Sequence, residues 1–324
     1  MLAAAHAPRD RGPANSVLLS PPGPGPSRLI PQSVRPTDTH VEHVLSSLAD
    51  LCHATDQPWH VKSVQGEIGG GRVSPEDLTA LDGHPHAVAL TISGLDQTAF
   101  EALVERHAAQ FSALHFWKCP RIADLSPLEH LPHLTHVAFY WNQRASRLWN
   151  FARTPKLDGL QFRDFTRLHD LSDLREAISL RELTFGDAIW PKSTFQSLEP
   201  IGALQSLKRL KFDAKRIDDG RVQPLAKLQQ LEELEFPPNM LTTRQVAWLR
   251  ARLPESVHST TLTPIRVLQG FKSGSSKDLD RLVIGKRKPF LNSESDAGRI
   301  EEYERQFWRM VDQFRKDSNA QPDE

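Results

Sequence analysis

The sequence has few cysteines and tyrosines, two of each among 324 residues, and no excess of charge of either sign. Cys52 and Cys119 cannot build a disulfide framework, and no zinc-ligand spacing surrounds them, which favours a reducing compartment and two buried thiols. Because 40 basic residues balance 40 acidic ones, the chain has no surplus of charge that would attract nucleic acid. It also lacks any run near the ~18 apolar residues of a membrane span.

A secretory signal pattern is missing as well, because Pro8, Arg9 and Asp10 interrupt the N-terminus before an apolar stretch can form. Residues 1–38 hold eight of the 24 prolines and have no apolar period, so they are predicted to be a disordered tail. An organellar transit peptide is the alternative, although the prolines would break its amphipathic helix. We therefore expect a cytoplasmic protein that binds neither membranes nor nucleic acid.

Residues 39–86 are predicted to form an N-terminal cap. A helix is predicted to begin near Thr39. Its apolar residues repeat on one face: Val41, Val44, Leu45, Leu48 and Leu51. A short strand from Trp59 to Val64 and a glycine turn at 69–71 follow, and Ser74 and Pro75 open a second helix.

Residues 87–256 carry one pattern, apolar-x-x-apolar-x-apolar, that recurs about every 24 residues. The seven rows are Ala87, Leu90, Ile92; Phe111, Leu114, Phe116; Leu134, Val137, Phe139; Leu157, Leu160, Phe162; Leu180, Leu183, Phe185; Leu207, Leu210, Phe212; and Leu231, Leu234, Phe236. Such a period is typical of a solenoid, in which each row contributes one strand and one return segment. Pro127, Pro200 and Pro224 suit the start of a short helix or 3₁₀ turn in three return segments. The sequence thus predicts an α/β solenoid with one parallel sheet of about seven strands on its concave face.

These rows resemble the leucine-rich repeat superfamily over about 170 residues. The phrase RIADLSPL at residues 121–128, followed by Leu131, Leu134 and Val137, is similar to the bacterial internalin-like variety. The resemblance implies a leucine-rich repeat solenoid with helical N- and C-terminal caps. It implies no catalytic machinery, since catalytic members of the superfamily keep their chemistry in an added domain.

One column departs from the pattern of the superfamily, which places Asn or Cys three positions after the last strand residue to bond the turn. Here the column reads Cys119, Asn142, Phe165, Ala188, Lys215 and Asn239. In rows four to six, the polar backbone groups of the turns are therefore predicted to bond water or other backbone groups. The loops there are predicted to be irregular.

The side chains between the apolar positions are predicted to face the concave surface. Rows two to four place six large aromatic or polar residues there: His115, Trp117, His136, Tyr140, Trp141 and Arg163. Trp, Tyr and Arg are enriched at interface hot spots, so we interpret this patch as a partner-binding site. The alternative is that Trp117 or Trp141 packs into neighbouring loops. Beyond the patch the face is predicted to be of mixed charge and to end in Glu233 and Glu235, which would orient a partner more than hold it.

No arrangement of residues predicts catalysis or a bound metal. His130, His133 and His136 are close in sequence, but no Cys or carboxylate completes a site. The glycine-rich segments at 66–71 and 270–277 lack the strand, helix and Lys of nucleotide loops. We therefore predict no metal, no cofactor and no enzymatic activity, with a thiol-dependent transferase that uses Cys52 as a remaining alternative.

Residues 257–324 are predicted to form a C-terminal cap. It comprises an edge strand between Val257 and Leu268, an apolar segment at 282–284, a basic turn at 286–288 and a helix from about Asp296 to Lys316. One face of that helix is apolar: Ile300, Tyr303, Phe307, Met310, Val311 and Phe314. We interpret the helix as a cover for the open end of the solenoid, with a detachable partner-binding helix as the alternative.

Taken as a sequence, the chain is predicted to be a monomeric, non-catalytic protein–protein interaction module whose partner is unidentified. The alternative is a dedicated bacterial immunity or effector-like protein whose concave face occupies one toxin or target.

Overall fold

The computed structural model describes residues 45–53, 57–189, 191–268 and 279–322. The strands of the described residues are β1 His60–Ser63, β2 Ala89–Ile92, β3 Ala113–Trp117, β4 His136–Asn142, β5 Gly159–Phe165, β6 Glu182–Gly186, β7 Thr194–Phe195, β8 Arg209–Asp213, β9 Arg216–Ile217, β10 Glu233–Glu235, β11 Ile265–Val267, β12 Arg281–Val283 and β13 Phe290–Leu291. The α-helices of the same residues are α1 Leu48–His53, α2 Gln97–Arg106, α3 Thr243–Arg252 and α4 Ala297–Lys316. These elements belong to one unit, His43–Glu324, whereas the predicted tail at 1–38 and the start of the cap at 39–44 lie outside the described residues.

The main sheet confirms the predicted solenoid. Its order is β1-β2-β3-β4-β5-β6-β8-β10, and every neighbouring pair is parallel. The seven rows supply seven of these strands, and the register advances by one row at each step, as in Leu114 opposite Val137. The eighth strand is β1, which the sequence assigned to the cap and which pairs with β2 at the first edge.

The core lies on the side of the sheet that the repeat pattern predicted. All 21 residues of the seven rows are at most 4% exposed. The last residue of each row from Phe116 onward is Phe, and several neighbouring rings stack, with centroids 4.6 Å apart for Phe116 and Phe139 and 5.3 Å apart for Phe185 and Phe212. Each row therefore buries its apolar surface against the next, which a single row could not do.

The return segments of the described residues are mostly short 3₁₀ helices. Proline occupies the first turn of Ser126–His130 and of Gln223–Lys227, as predicted, where its missing N–H costs nothing. Two return segments are α-helical. Asp96 caps α2 through its side chain, and Thr242 with Gln245 forms a capping box at α3.

The turns after the strands follow the prediction only in part. The Asn142 side chain bonds four backbone groups, donating to the carbonyls of Cys119 and Ile122 and accepting from the N–H groups of Arg144 and Ala145. In row five the position expected to hold Asn or Cys is Ala188. The prediction that only water or backbone groups bond this turn is wrong. The preceding residue, Asp187, accepts hydrogen bonds from the backbone N–H groups of residues 192 and 193 at 2.5 and 2.7 Å.

The C-terminal region follows the predicted edge strand only at its start, where His258 forms a parallel bridge with Glu233 of β10. β11 does not extend the parallel sheet but pairs antiparallel with β12 in a separate three-stranded sheet. Just after the His258 bridge, the carboxylate of Glu235 accepts hydrogen bonds from both the N–H and the hydroxyl of Thr260. The predicted helix is observed as α4, which buries Phe307, Val311 and Phe314 against the core. Its role as an end cover stays a prediction.

The concave face as candidate protein-binding site

The register arranges the concave side chains in three columns that cross the strands. The amino column is His60, Ala89, Ala113, His136, Gly159, Glu182, Arg209 and Glu233; the middle column is Lys62, Thr91, His115, Ala138, Gln161, Thr184, Lys211 and Glu235; the carboxyl column is Trp117, Tyr140, Arg163, Gly186 and Asp213. Side chains alternate across a strand, so these columns face away from the Phe and Leu core.

Helix α1 lies across the amino and middle columns rather than at the end of the solenoid. Leu48 and Leu51, together with Leu45 before the helix, are buried against Ala89, Ala113 and Ala138. Position 159 has room only for glycine, because a Cβ there would lie 2.5 Å from the His136 ring and 3.1 Å from Cγ of Leu48. The run of small residues thus forms a groove that receives the leucines of α1.

Two polar contacts also hold α1 on the face. The backbone N–H of Leu48 donates to the Glu182 carboxylate at 3.0 Å, and Arg209 pairs with the same carboxylate at 3.1 Å. The amide of Gln161 donates to the Sγ of Cys52 at 3.5 Å. Burial raises the pKa of the Cys52 thiol to about 11, so this sulfur is protonated at neutral pH and is a poor nucleophile.

The histidines of the predicted site are covered, which corrects the expectation of an open patch of six residues. His115 is 3% exposed and His136 is 2% exposed, because α1 covers the part of the face on which they lie. Nδ1 of His115 contacts Oγ1 of Thr91 at 3.4 Å, and Nδ1 of His136 contacts Oγ1 of Thr135 at 3.0 Å. The Nε2 atom of each ring is buried and has no hydrogen-bond partner among the described residues.

Burial lowers the pKa of His115 to about 4, with smaller contributions from the neighbouring charges of His60, His53 and Lys62. The unfolded chain binds a proton on this ring near pH 6.5, so the folded state loses stability as the pH falls from 6.5 towards 4. Between pH 7.5 and pH 5 this single group should lower the free energy of unfolding by about 2 kcal/mol. Urea melts at the two pH values measure the change.

The matched variants for this pH prediction are His115→Gln and His84→Gln. In the parent, the free energy of unfolding should be higher at pH 7.5 than at pH 5. In His115→Gln this difference should be smaller by about 2 kcal/mol. His84 is exposed, so its replacement should leave the difference unchanged. An unaltered pH dependence in His115→Gln would show that His115 is not held neutral in the folded chain.

The aromatic residues of the predicted site remain accessible because α1 does not reach the carboxyl column. Trp117 and Tyr140 are half-buried, and their rings stack with centroids 4.3 Å apart. The stack therefore presents one flat apolar surface to solvent. Lys118 Nζ lies 5.8 Å from the centroid of the Trp117 ring.

Trp141 follows the strand in a left-handed conformation, with φ of 63°. The equivalent residues of the flanking rows, Lys118 and Asp164, have φ of 54° and 56°. This conformation breaks the alternation, and Trp141 lines a groove of about 510 Å³ at the carboxyl rim with Tyr140 and the 88% exposed Ile68. Trp141 is therefore next to the aromatic stack but not in the same column.

Arg163 is already paired within the chain. Its guanidinium lies 3.1 Å from the carboxylate of Asp213 and donates to the carbonyl of Asp187 at 2.7 Å. Next to it a groove of about 490 Å³ contains Lys211, Asp213 and Glu233. The face beyond Arg163 is thus of mixed charge, and not uniformly acidic.

The structure brings Trp117, Tyr140, Trp141 and Arg163 together along the carboxyl side. His115, under α1, still meets the Trp117 ring edge to face, with centroids 5.8 Å apart, whereas His136 lies in the amino column. The sequence reasoning missed the occupied groove. Its signal was present as four small residues in the concave columns, Ala89, Ala113, Ala138 and Gly159, together with the leucines of the first predicted helix. Within the described ranges, no three His, Cys, Asp or Glu side chains are clustered as metal ligands.

The repeated parallel strands and 3₁₀ returns define a leucine-rich repeat solenoid. No protein-family model matches the chain, and no curated protein matches it. Solved structures with a similar fold include an internalin (inlF) from Listeria monocytogenes, with 18% identity and a TM-score of 0.37 over 57% of this chain and 60% of that one. A leucine-rich repeat protein of Leptospira interrogans has 12% identity and a TM-score of 0.39 over 66% of this chain and 57% of that one.

The Toll–Spatzle complex of Drosophila is also similar, with 15% identity and a TM-score of 0.38 over 63% of this chain and 29% of that one. The match thus spans less than two thirds of the internalin (inlF) and of the other two structures. These likenesses concern the fold alone. Among the described helices, none has the length and apolar character to cross a membrane.

Proposed function

We propose that this chain is a non-catalytic interaction module that binds a partner protein along the carboxyl side of its concave face. The observation that carries the proposal is the half-buried stack of Trp117 and Tyr140, with Trp141 beside it. The core is already filled by the Leu and Phe rows, so the fold does not need these rings for packing. Large aromatic side chains that stay accessible on a rigid strand lose little entropy on binding.

Arg163 is proposed as the fourth anchor, with a different role. Its ion pair with Asp213 fixes the guanidinium next to the aromatic stack, so a partner carboxylate or carbonyl would meet a preorganised donor. His115 and His136 can contribute to the proposed interface only when α1 leaves the groove. A monomeric state and a cytoplasmic location are part of the same proposal.

A dedicated immunity or effector-like role is the second candidate, and it uses the same face with one fixed partner. A thiol-dependent transferase is disfavoured, because the raised pKa of Cys52 keeps its sulfur protonated. Recovery of one partner at high affinity would favour the dedicated role, whereas several partners of moderate affinity would favour a general scaffold.

The experiment that tests the interface compares the parent with Trp117→Ala/Trp141→Ala. Partners are recovered from the native host by pull-down, purified, and titrated by calorimetry. Each anchor should contribute about 2 kcal/mol or more to the affinity, so the double variant should bind at least roughly 700-fold more weakly. The melting temperature should change little, since neither ring belongs to the main core.

Trp308→Ala is the matched control, because Trp308 is an exposed tryptophan on α4, away from the concave face. It should retain the parental affinity. Recovery of the same partners with equal affinity by the double variant would exclude the carboxyl side as the binding surface.

A further inference from the structure

The groove under α1 has the features of a receptor for a short helix. Its floor consists of Ala89, Ala113 and Ala138, with Gly159 alongside, and leucines one turn apart on α1 fit into it. At one end Glu182 accepts the N–H of Leu48, which is one of the N-terminal donors that a helix cannot satisfy internally. The surface therefore matches both the side chains and the terminus of a helix.

α1 is an incomplete match for this groove. It is only six residues long, and a helix of that length is unstable without tertiary contacts. Among the described residues, Nε2 of His115 and Nε2 of His136 also remain buried without a hydrogen-bond partner beneath it. A buried imidazole nitrogen without a hydrogen bond costs stability, so these two atoms mark positions where a better ligand would place a donor or acceptor.

We propose that α1 is a built-in, displaceable occupant of this groove, and that the partner protein inserts an amphipathic helix with leucines at positions i and i+3 in its place. The inference rests on the proposed function only in that the ligand is a protein. Because only six residues of sequence separate the end of α1 at His53 from the start of β1 at His60, α1 competes at high effective concentration. The full chain thus binds such a helix weakly until α1 is released.

Cys52 reports the position of α1 in the full chain. Its thiol is half-buried beside Gln161, whereas Cys119 is buried in the core, and burial raises the pKa of Cys119 to about 12. In Leu48→Asp/Leu51→Asp the helix should leave the groove, and alkylation of Cys52 should be at least about tenfold faster than in the parent while Cys119 stays unreactive. Equal rates in both proteins would overturn the proposal.

Binding is tested with a fluorescein-labelled synthetic peptide of the sequence of residues 39–53, with Ser in place of Cys52. Fluorescence polarisation should give a Kd for the full-length Leu48→Asp/Leu51→Asp variant at least about tenfold lower than for the parent. Adding Ala113→Leu to the variant should abolish binding, because the leucine fills the groove. A peptide that binds parent and variant equally, or that ignores Ala113→Leu, would overturn the proposal.

Leu48→Ala/Leu51→Ala serves as a milder pair if the aspartate variant does not fold, and it should shift both readouts in the same direction. A failure of these measurements can be told apart from a failure of the proposed function. Loss of partner binding in Trp117→Ala/Trp141→Ala tests the aromatic side of the face, whereas the peptide and Cys52 measurements test only the groove under α1.

Discussion

Replacing Phe162 with alanine is expected to lower the free energy of unfolding by about 3–5 kcal/mol. Phe162 is 1% exposed, and its ring stacks on Phe185 with centroids 5.5 Å apart and meets Phe165 edge to face at 5.8 Å. Alanine would leave a cavity between rows four and five, and the neighbouring rows cannot close it without breaking the sheet register. Urea denaturation of parent and variant measures the difference.

The control for this variant is Ile178→Ala, which removes an apolar side chain that is 68% exposed. It should change stability by no more than about 0.5 kcal/mol. Coincident melts of the parent and Phe162→Ala would contradict the placement of this ring in the core.

Asn142→Ala is expected to cost about 3 kcal/mol, because one buried side chain satisfies four backbone groups in the turn after β4. Its loss leaves the carbonyls of Cys119 and Ile122 and two N–H groups without their partner. Asn142→Asp keeps the acceptor for the N–H groups but turns a buried carboxylate oxygen towards the two carbonyls, so at neutral pH it should cost at least as much as Asn142→Ala. Urea melts of the three proteins give the order.

Asn150→Ala is the comparison at an exposed asparagine. Asn150 caps a 3₁₀ helix through one hydrogen bond to the N–H of Ala152, so its loss should cost about 1 kcal/mol. If Asn142→Ala cost no more than Asn150→Ala, the turn would not depend on the buried amide.

The solenoid could be predicted from the sequence because its period is local. Residues such as Leu134, Val137 and Phe139 are spaced so that one strand turns them all to the same side, and the next row repeats the spacing. Neighbouring rows then pair in register without any other information. Because side chains alternate along a strand, the same spacing predicted Trp117, Tyr140 and Arg163 on the face opposite the core.

The parts that could not be predicted depend on contacts without a period. Nothing in the spacing of Leu48 and Leu51 shows that their partners are small residues on strands β2 to β5. Asp187 accepts the backbone hydrogen bonds of its turn although it lies one residue before the position at which the repeat pattern expects Asn or Cys. A comparison with the pattern therefore misses it. The left-handed conformation of Trp141 follows from turn geometry, which is invisible in the residue type.

The docking of α1 has a consequence for the order in which the chain assembles. Each row of the sheet pairs with a neighbour about 24 residues away, whereas the hydrogen bond from Leu48 to Glu182 spans 134 residues. Contacts between near segments form sooner because they close smaller loops. On a ribosome α1 is therefore made before the strands, but it can reach its complete groove only after β6 has been synthesised, so the groove forms before α1 covers it.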